Sequence, residues 1–275
     1  MLADEKLREG NLDEALAALK DEVRKNPANS KYRVFLFQLQ SVLGDWERAM
    51  TQLKVLGDLD SGTLTMVQMY REALKCEALR AEIFAGKRSP LIFGEPEEWI
   101  AWMIQALQAD GEGRPEQAAE LRAKALEQAP ATSGQVGDQT FEWIADADSR
   151  LGPLLEVVIF GRYYWVPFHR IREIQIEEPA DLRDFVWTPA MFTWANAGEA
   201  VGLIPTRYPG SERSADGAVR LARRTEWIEQ GPDTYHGLGQ RMFATDGGDL
   251  PLLETRAVRL DVEAEAASGS EITES

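Results

Sequence analysis

His169 and His236 are the only histidines in the sequence, too few for a histidine-based zinc site, and neither stands in a spacing such as HExxH. His169, set between Phe168 and Arg170, reads as a strand-end or surface residue. Asp146-Ala147-Asp148 begins like a calcium loop, but Arg150 takes the third ligand position and the following glycine and distal glutamate are missing, so the segment reads as a turn. Gly237-Leu238-Gly239 lacks the third glycine and the strand-to-helix setting of a dinucleotide site. There is no GxSxG elbow and no P-loop. Cys76, the single cysteine, lies in an apolar helical stretch beside Leu74 and Ala78 with nothing nearby to supply a base, which predicts a buried, inert thiol. The expectation is no catalytic residue, no metal and no cofactor.

Arginine is the chemically capable type that recurs with a pattern: Arg150, Arg183, Arg207, Arg224 and Arg241 accompany aromatic residues in a strongly acidic chain. A buried guanidinium needs carboxylate or carbonyl partners, and Asp146, Asp148, Asp184 and Glu226 are available for structural pairing at turns. The other role is an anion pocket formed by Arg207 and Arg224, with Tyr208 beside them, able to hold a phosphate or a carboxylate. Substitution of Arg207 by Ala separates the two: loss of folding marks structure, loss of a ligand from a folded protein marks a pocket.

The elements that must carry these residues fall into two kinds. The chain has 275 residues, 44% hydrophobic and 28% charged, which is globular composition. A net charge of −16 argues against nucleic acid and anionic membrane as general partners, since both need clustered cations. Partners are expected to be proteins or small molecules. No run approaches eighteen apolar residues; the greasiest, Leu154 to Phe160, carries Glu156. One cysteine and an N-terminus without a basic region before an apolar core point to the cytoplasm.

Up to about residue 134, apolar residues recur at helical spacing; over 135–260, short aromatic and β-branched runs alternate with turns; 261–275 is rich in Ala, Glu, Ser and Gly and is expected to be a disordered acidic tail. The fold class is therefore α+β multidomain, an all-helical repeat domain followed by a small β-rich domain. Gly10-Asn11-Leu12-Asp13-Glu14-Ala15 returns thirty-four residues later as Gly44-Asp45-Trp46-Glu47-Arg48-Ala49, the spacing of a tetratricopeptide repeat. The glycine ends one helix and the small residue lets the pair approach closely. Leu19 and Leu53 hold apolar positions, and Pro27 closes the first unit. A looser copy has Gly113, Ala118, Ala125, Pro130 and Trp102, but Arg122 where an apolar residue is expected; the second copy lacks a closing proline. A further helix, roughly Thr63 to Ala85, and a Pro/Gly loop, Ser89 to Pro96, stand outside the repeat. Stacked helix pairs leave a groove, and with few inward cations, chiefly Lys31 and Arg33, a helix in that groove is favoured over a clamped carboxylate terminus.

In the second half, Pro153 to Phe160 and Arg162 to Phe168 read as strands around Gly161. Asp246-Gly247-Gly248-Asp249 and, more weakly, Asn196-Ala197-Gly198 mark hairpins. Such short strands suggest a small barrel or a strongly bent sheet. Trp143, Trp165, Trp187 and Trp227 are expected to fill its interior or seal it against the helices; the sharper alternative is an exposed aromatic patch for a partner.

In order, this half contains Phe141-Glu142-Trp143-Ile144-Ala145-Asp146-Ala147-Asp148-Ser149-Arg150-Leu151-Gly152-Pro153, Gly161-Arg162-Tyr163-Tyr164-Trp165-Val166-Pro167-Phe168 and Leu182-Arg183-Asp184-Phe185-Val186-Trp187. Ile204-Pro205-Thr206-Arg207-Tyr208-Pro209-Gly210, Arg223-Arg224-Thr225-Glu226-Trp227 and Gly237-Leu238-Gly239-Gln240-Arg241 follow. Behind a degenerate helical-repeat front, this succession resembles the ImpE family, also called SciE or TagJ, of type VI secretion accessory proteins, over about Leu2 to Leu260. The resemblance implies a cytoplasmic, non-enzymatic accessory factor with no catalytic residues. It also implies a partner, the N-terminal helix of the sheath's small, TssB-like subunit, and an influence on sheath assembly or on recycling by the ClpV ATPase. The competing reading is an enzyme or small-ligand sensor with its site around Arg207, Arg224 and Tyr208; a self-assembling homodimer is a third.

Overall fold

The computed structural model describes residues 1–231 and 234–263. Its helical part runs α1 (Leu2–Arg8), α2 (Leu12–Lys25), α3 (Ser30–Val42), α4 (Trp46–Leu59) and α5 (Leu64–Phe84), then a short strand β1 (Leu91–Ile92), then α6 (Glu98–Gly111) and α7 (Pro115–Gln128). The three glycines that end the first helix of a pair, Gly10, Gly44 and Gly113, all have φ between +71° and +81°, a left-handed turn that L side chains avoid. At Gly44 space matters as well, because a Cβ would meet the Glu212 side chain. Ala15, Ala49 and Ala118 are fully buried where paired helices touch, as are Leu19 and Leu53. Arg122, at the third copy's apolar position, is also buried, and its Nη1 donates to Asp110 Oδ2 at 2.6 Å. The repeat thus survives an arginine by pairing it.

The remaining elements are β2 (Gly134–Val136), β3 (Gln139–Phe141), β4 (Ile144–Asp146), β5 (Leu154–Ile159), β6 (Arg162–Pro167), β7 (Ile171–Ile176), β8 (Trp187–Trp194), β9 (Glu199–Pro205), α8 (Gly217–Arg220), β10 (Thr225–Gly231), β11 (Thr234–Gly239), β12 (Met242–Thr245), β13 (Gly248–Pro251) and β14 (Ala257–Leu260). The main sheet has the order β1-β6-β5-β9-β8-β7-β14-β2-β3, beside a β13-β12-β4 sheet and a β10-β11 ribbon. Among the described residues the order does not return on itself, so of the two expected forms, barrel or bent sheet, the main sheet is not the closed barrel. The three turn signals hold. Ile159 pairs with Arg162 across Phe160 and Gly161, Thr193 with Glu199 across 194–198, and Thr245 with Gly248 across Asp246 and Gly247.

Three sequence expectations need correction. The Ser89 to Pro96 segment is not all loop: β1 lies parallel to β6, with Ile92 opposite Trp165, so the helical half contributes an edge to the sheet. Of the four tryptophans expected inside, Trp165 and Trp187 are fully buried, whereas Trp143 and Trp227 remain 40% and 39% exposed. Of the expected tail, Asp261 belongs to the fold, its amide donating to Ser133 O at 2.9 Å; 264–275 lie outside the described residues.

Two cores result. One joins the helices to the sheet and includes Leu19, Phe37, Leu53, Tyr70, Trp99, Trp165 and Trp187. Trp187 stands between Trp46 and Tyr70, with ring centroids 6.0 and 5.7 Å away, and Trp165 packs on Phe84 at 6.0 Å. The other, around Val157, Phe168, Ile174, Phe192 and Phe243, is made by the sheets alone.

Candidate functional site

Every residue of β5 is buried, including Glu156. A lone carboxylate there must be met by cations, because its desolvation is otherwise prohibitive. Helix α5 delivers Arg80, whose Nε and Nη2 donate to Glu156 Oε1 and Oε2 at 2.5 and 3.0 Å. Arg241, fully buried just before β12, donates to Glu156 from Nη2 and to Asp146 of β4 from Nη1, while its Nε reaches Pro205 O at 2.9 Å. Tyr163 Oη donates to Glu156 Oε1 at 2.5 Å and accepts from Trp165 Nε1 at 2.8 Å. Trp187 Nε1 donates to Glu77 Oε1 at 2.9 Å, and Glu77 faces Arg80. Burial alone pushes Glu156 up, but the charges of Arg80 and Arg241 win and hold it at about 2. At Asp146 burial wins over Arg241, with Asp148 adding to it, and the carboxyl is pushed up to about 7.

This network is a fastening between layers. Its carboxylates face arginines, and the described residues contain no group of His, Cys, Asp and Glu able to hold a metal ion. Glu77 and Arg80 escape notice in the sequence because their partners on the sheet, Trp187 and Glu156, are far along the chain. The one legible signal is Glu156 itself, a charge inside an otherwise apolar strand.

The arginines singled out from sequence separate into buried and exposed ones. Arg207 is buried; Nη1 donates to Val42 O and Arg220 O at 2.7 and 2.6 Å, and Nη2 to Ser41 O at 3.3 Å. It therefore caps the carbonyl end of α3, where a cation suits the helix dipole. Arg224 is half exposed and pairs with Asp216 at 2.6 Å and with Glu226. Tyr208 is buried, its hydroxyl exchanging hydrogen bonds with the backbone of Met242, and its ring lies between Arg241 and Trp227. Arg150 pairs with Asp148 through Nε at 2.8 Å and Nη2 at 2.5 Å, and Asp148 also accepts from Gly237 N. Arg183 pairs with Asp181 at 2.6 Å over the Tyr70 ring. On α3, Lys31 is exposed, while Arg33 donates to Pro27 O at 2.8 Å and to Gln52 Oε1 at 3.2 Å. The structure thus keeps Lys31 and Arg33 together on one helix and gives Arg207 and Arg224 different partners.

His169 Nε2 lies 3.0 Å from Glu97 Oε1, which also accepts from Arg170. Burial together with the charge of Arg150 pushes His236 down to about 4. Burial raises Cys76 to about 12, far from a thiolate at neutral pH.

The surface of the described residues includes the following concavities. A cleft of about 350 Å³ between α5 and the segment after β9 has Trp46, Phe84, Arg150 and Glu212 in its walls. A hollow of about 370 Å³ lies beside Met69, Phe160 and Val201. A groove of about 620 Å³ runs between α7 and β4. One wall is the Ala119, Arg122, Ala123, Leu126 face of α7, at i, i+3, i+4 and i+7; Trp143 and Ala145 belong to the other. Leu126 and Trp143 are 52% and 40% exposed there. An adjacent face of α7, through Ala118 and Leu121, packs on Ala106 and Ala109 of α6.

Among known proteins, residues 138–259 match the family described as ImpE protein. The chain is 50% identical over 256 residues to the type VI secretion system accessory component TagJ of Pseudomonas aeruginosa, spanning 93% of this chain and 90% of that protein. An X-ray crystal structure of a Vibrio parahaemolyticus protein superposes with a TM-score of 0.85 at 25% identity, covering 96% of this chain and 98% of that one.

Proposed function

The chain belongs to the ImpE family, and from that premise we propose that it serves a type VI secretion system as a non-enzymatic, cytoplasmic adaptor. Its partner in this reading is the N-terminal helix of the sheath's small, TssB-like subunit, and its effect falls on sheath assembly or on ClpV-dependent recycling. The observation that carries the proposal is the 50% identity to an accessory component over nearly the whole chain. The physical features agree with it. Exposed apolar side chains line a groove suited to a polypeptide.

The competing reading, an anion site on Arg207, Arg224 and Tyr208, has less support, because the Arg207 donors run to carbonyls and Arg224 to carboxylates. Calorimetric titration with a synthetic peptide of the sheath subunit's N-terminal helix tests the proposal. Saturable heat at micromolar peptide supports it, and no heat up to high micromolar concentration refutes it. Light scattering of the free protein decides whether the adaptor works as a monomer or as a homodimer.

A further inference from the structure

We propose that the groove between α7 and β4 is the seat of the partner, and that its occupant is an amphipathic helix which covers Leu126 and Trp143 with apolar side chains and sets an oxygen acceptor against Arg122 Nε. The proposal rests on the adaptor reading above and adds where the helix lies and what it must carry.

The groove is built for side chains more than for backbone. The α7 wall is a helix whose peptide groups are already bonded along its own axis, so it has little to offer an extended strand, whose amides and carbonyls would go unmet. A helix brings its backbone hydrogen bonds with it and needs only a surface to fill. The small residues Ala119 and Ala123 on one side, and Ala145 on the other, keep the trough smooth, and Leu126 and Trp143 rise from opposite walls as the two large exposed apolar groups. A tryptophan left partly in water on the wall of a groove is a residue type that binding hot spots favour.

Arg122 supplies a second and independent sign. It occupies the repeat position that Leu19 and Leu53 fill with apolar side chains, it lines the groove, and it is only 5% exposed. Nη1 reaches Asp110, but Nε is buried without a hydrogen-bond partner. An orphaned guanidinium N–H is costly unless something supplies an acceptor. A side-chain carboxylate or amide oxygen on the docked helix, or one of its last-turn carbonyls, would supply it. The charge around the groove sets the occupant's remaining character. Glu120 and Glu127 flank the groove face of α7, Glu142 precedes Trp143, all three are exposed, and the chain as a whole carries −16. A helix with an apolar stripe, one acceptor and basic flanks is complementary to that surface.

The test is calorimetric titration of the full chain with the synthetic sheath-subunit helix, for the wild type and for Leu126→Glu, Trp143→Ala, Arg122→Lys and Phe160→Gly. Circular dichroism and melting check that each variant is folded. Leu126→Glu and Trp143→Ala are expected to weaken binding by about tenfold or more. Arg122→Lys keeps the charge but removes the Nε donor, and should weaken binding by roughly threefold to tenfold. Phe160→Gly, at the separate hollow beside Met69 and Val201, should bind as the wild type does. Binding that is unchanged in all three groove variants overturns the location while leaving the adaptor reading standing. Loss in Phe160→Gly alone also overturns it, placing the helix at the other hollow. Failure of the wild type to bind refutes the adaptor reading and this proposal with it.

Discussion

Arg80 on α5 and Glu156 on β5 meet in a two-point ion pair, Nε to Oε1 at 2.5 Å and Nη2 to Oε2 at 3.0 Å, with both side chains out of solvent. The pair joins the helical layer to the sheet, and the second Glu156 oxygen also receives Arg241. A buried ion pair contributes little net stability when intact, because desolvation offsets attraction, but breaking one side leaves a buried charge uncompensated. Glu156→Gln is therefore expected to destabilise the protein by about 3–5 kcal/mol. The shift of the urea unfolding midpoint measures it, and a change within 1 kcal/mol, read against that scale, refutes the fastening role.

Arg207 and Arg224 should behave differently when truncated. Arg207→Ala removes charged donors from the carbonyls of Ser41, Val42 and Arg220, and hydrogen bonds to a charged group are worth about 1.5–3 kcal/mol each. Arg224→Ala removes a half-exposed ion pair, whose worth is about 0–1 kcal/mol. Thermal melts should therefore fall sharply for the first and hardly for the second. Equal melts, with phosphate binding lost in either variant, would restore the anion-pocket reading.

The elements legible in the sequence are those fixed by local rules. Gly10, Gly44 and Gly113 mark helix ends because only a left-handed turn fits there, and the glycine run after Asp246 marks a hairpin, with the positive φ taken by Gly248 at 122°. Pairings across long separations were not legible. Nothing near Leu91-Ile92 announces that two residues of a Pro/Gly loop will join β6, since the partner lies some seventy positions on. The tryptophans look alike in sequence, yet Trp187 is enclosed by Trp46 and Tyr70 from the helices while Trp143 sits on a three-stranded edge with α7 held at groove distance. The groove is legible only in part: Arg122 shows as an irregularity in the repeat, but that its Nε goes unmet shows only in the structure.

Phe160 has φ of 51° and Gly161 of 71° at the turn between β5 and β6. Two-residue hairpins of this kind need positive φ at both central positions, which glycine or asparagine supplies and phenylalanine resists by about 1–2 kcal/mol. Phe160 is 68% exposed, so little burial offsets the strain. Phe160→Gly should raise stability by about 0.5–1 kcal/mol after the added freedom of the unfolded chain is counted. A lower melting temperature would mean that the ring contributes more to the hollow beside Met69 and Val201 than its exposure suggests.

Stability near neutral pH should reflect two groups, half-buried His236 and buried Asp146, that titrate with opposite consequences. His236 is held at about 4, against 6.5 for the free ring, by burial and the charge of Arg150. The unfolded chain therefore binds more protons at this residue between pH 6.5 and 4, and stability falls as pH drops through that window. Asp146, pushed by burial from 3.8 up to about 7, binds its proton in the folded chain instead, so its contribution declines as pH rises from about 4 to 7. Glu156, held at about 2 against 4.5, adds a loss only below pH 4.5. Comparing melting temperatures at pH 5 and pH 7 isolates the first two. Relative to the wild type, His236→Asn should shift the balance toward greater stability at pH 5, and Asp146→Asn should shift it toward greater stability at pH 7. No shift between pH 5 and pH 7 in Asp146→Asn would show that Arg241 keeps Asp146 ionised in the folded protein, and that its ion pair outweighs burial.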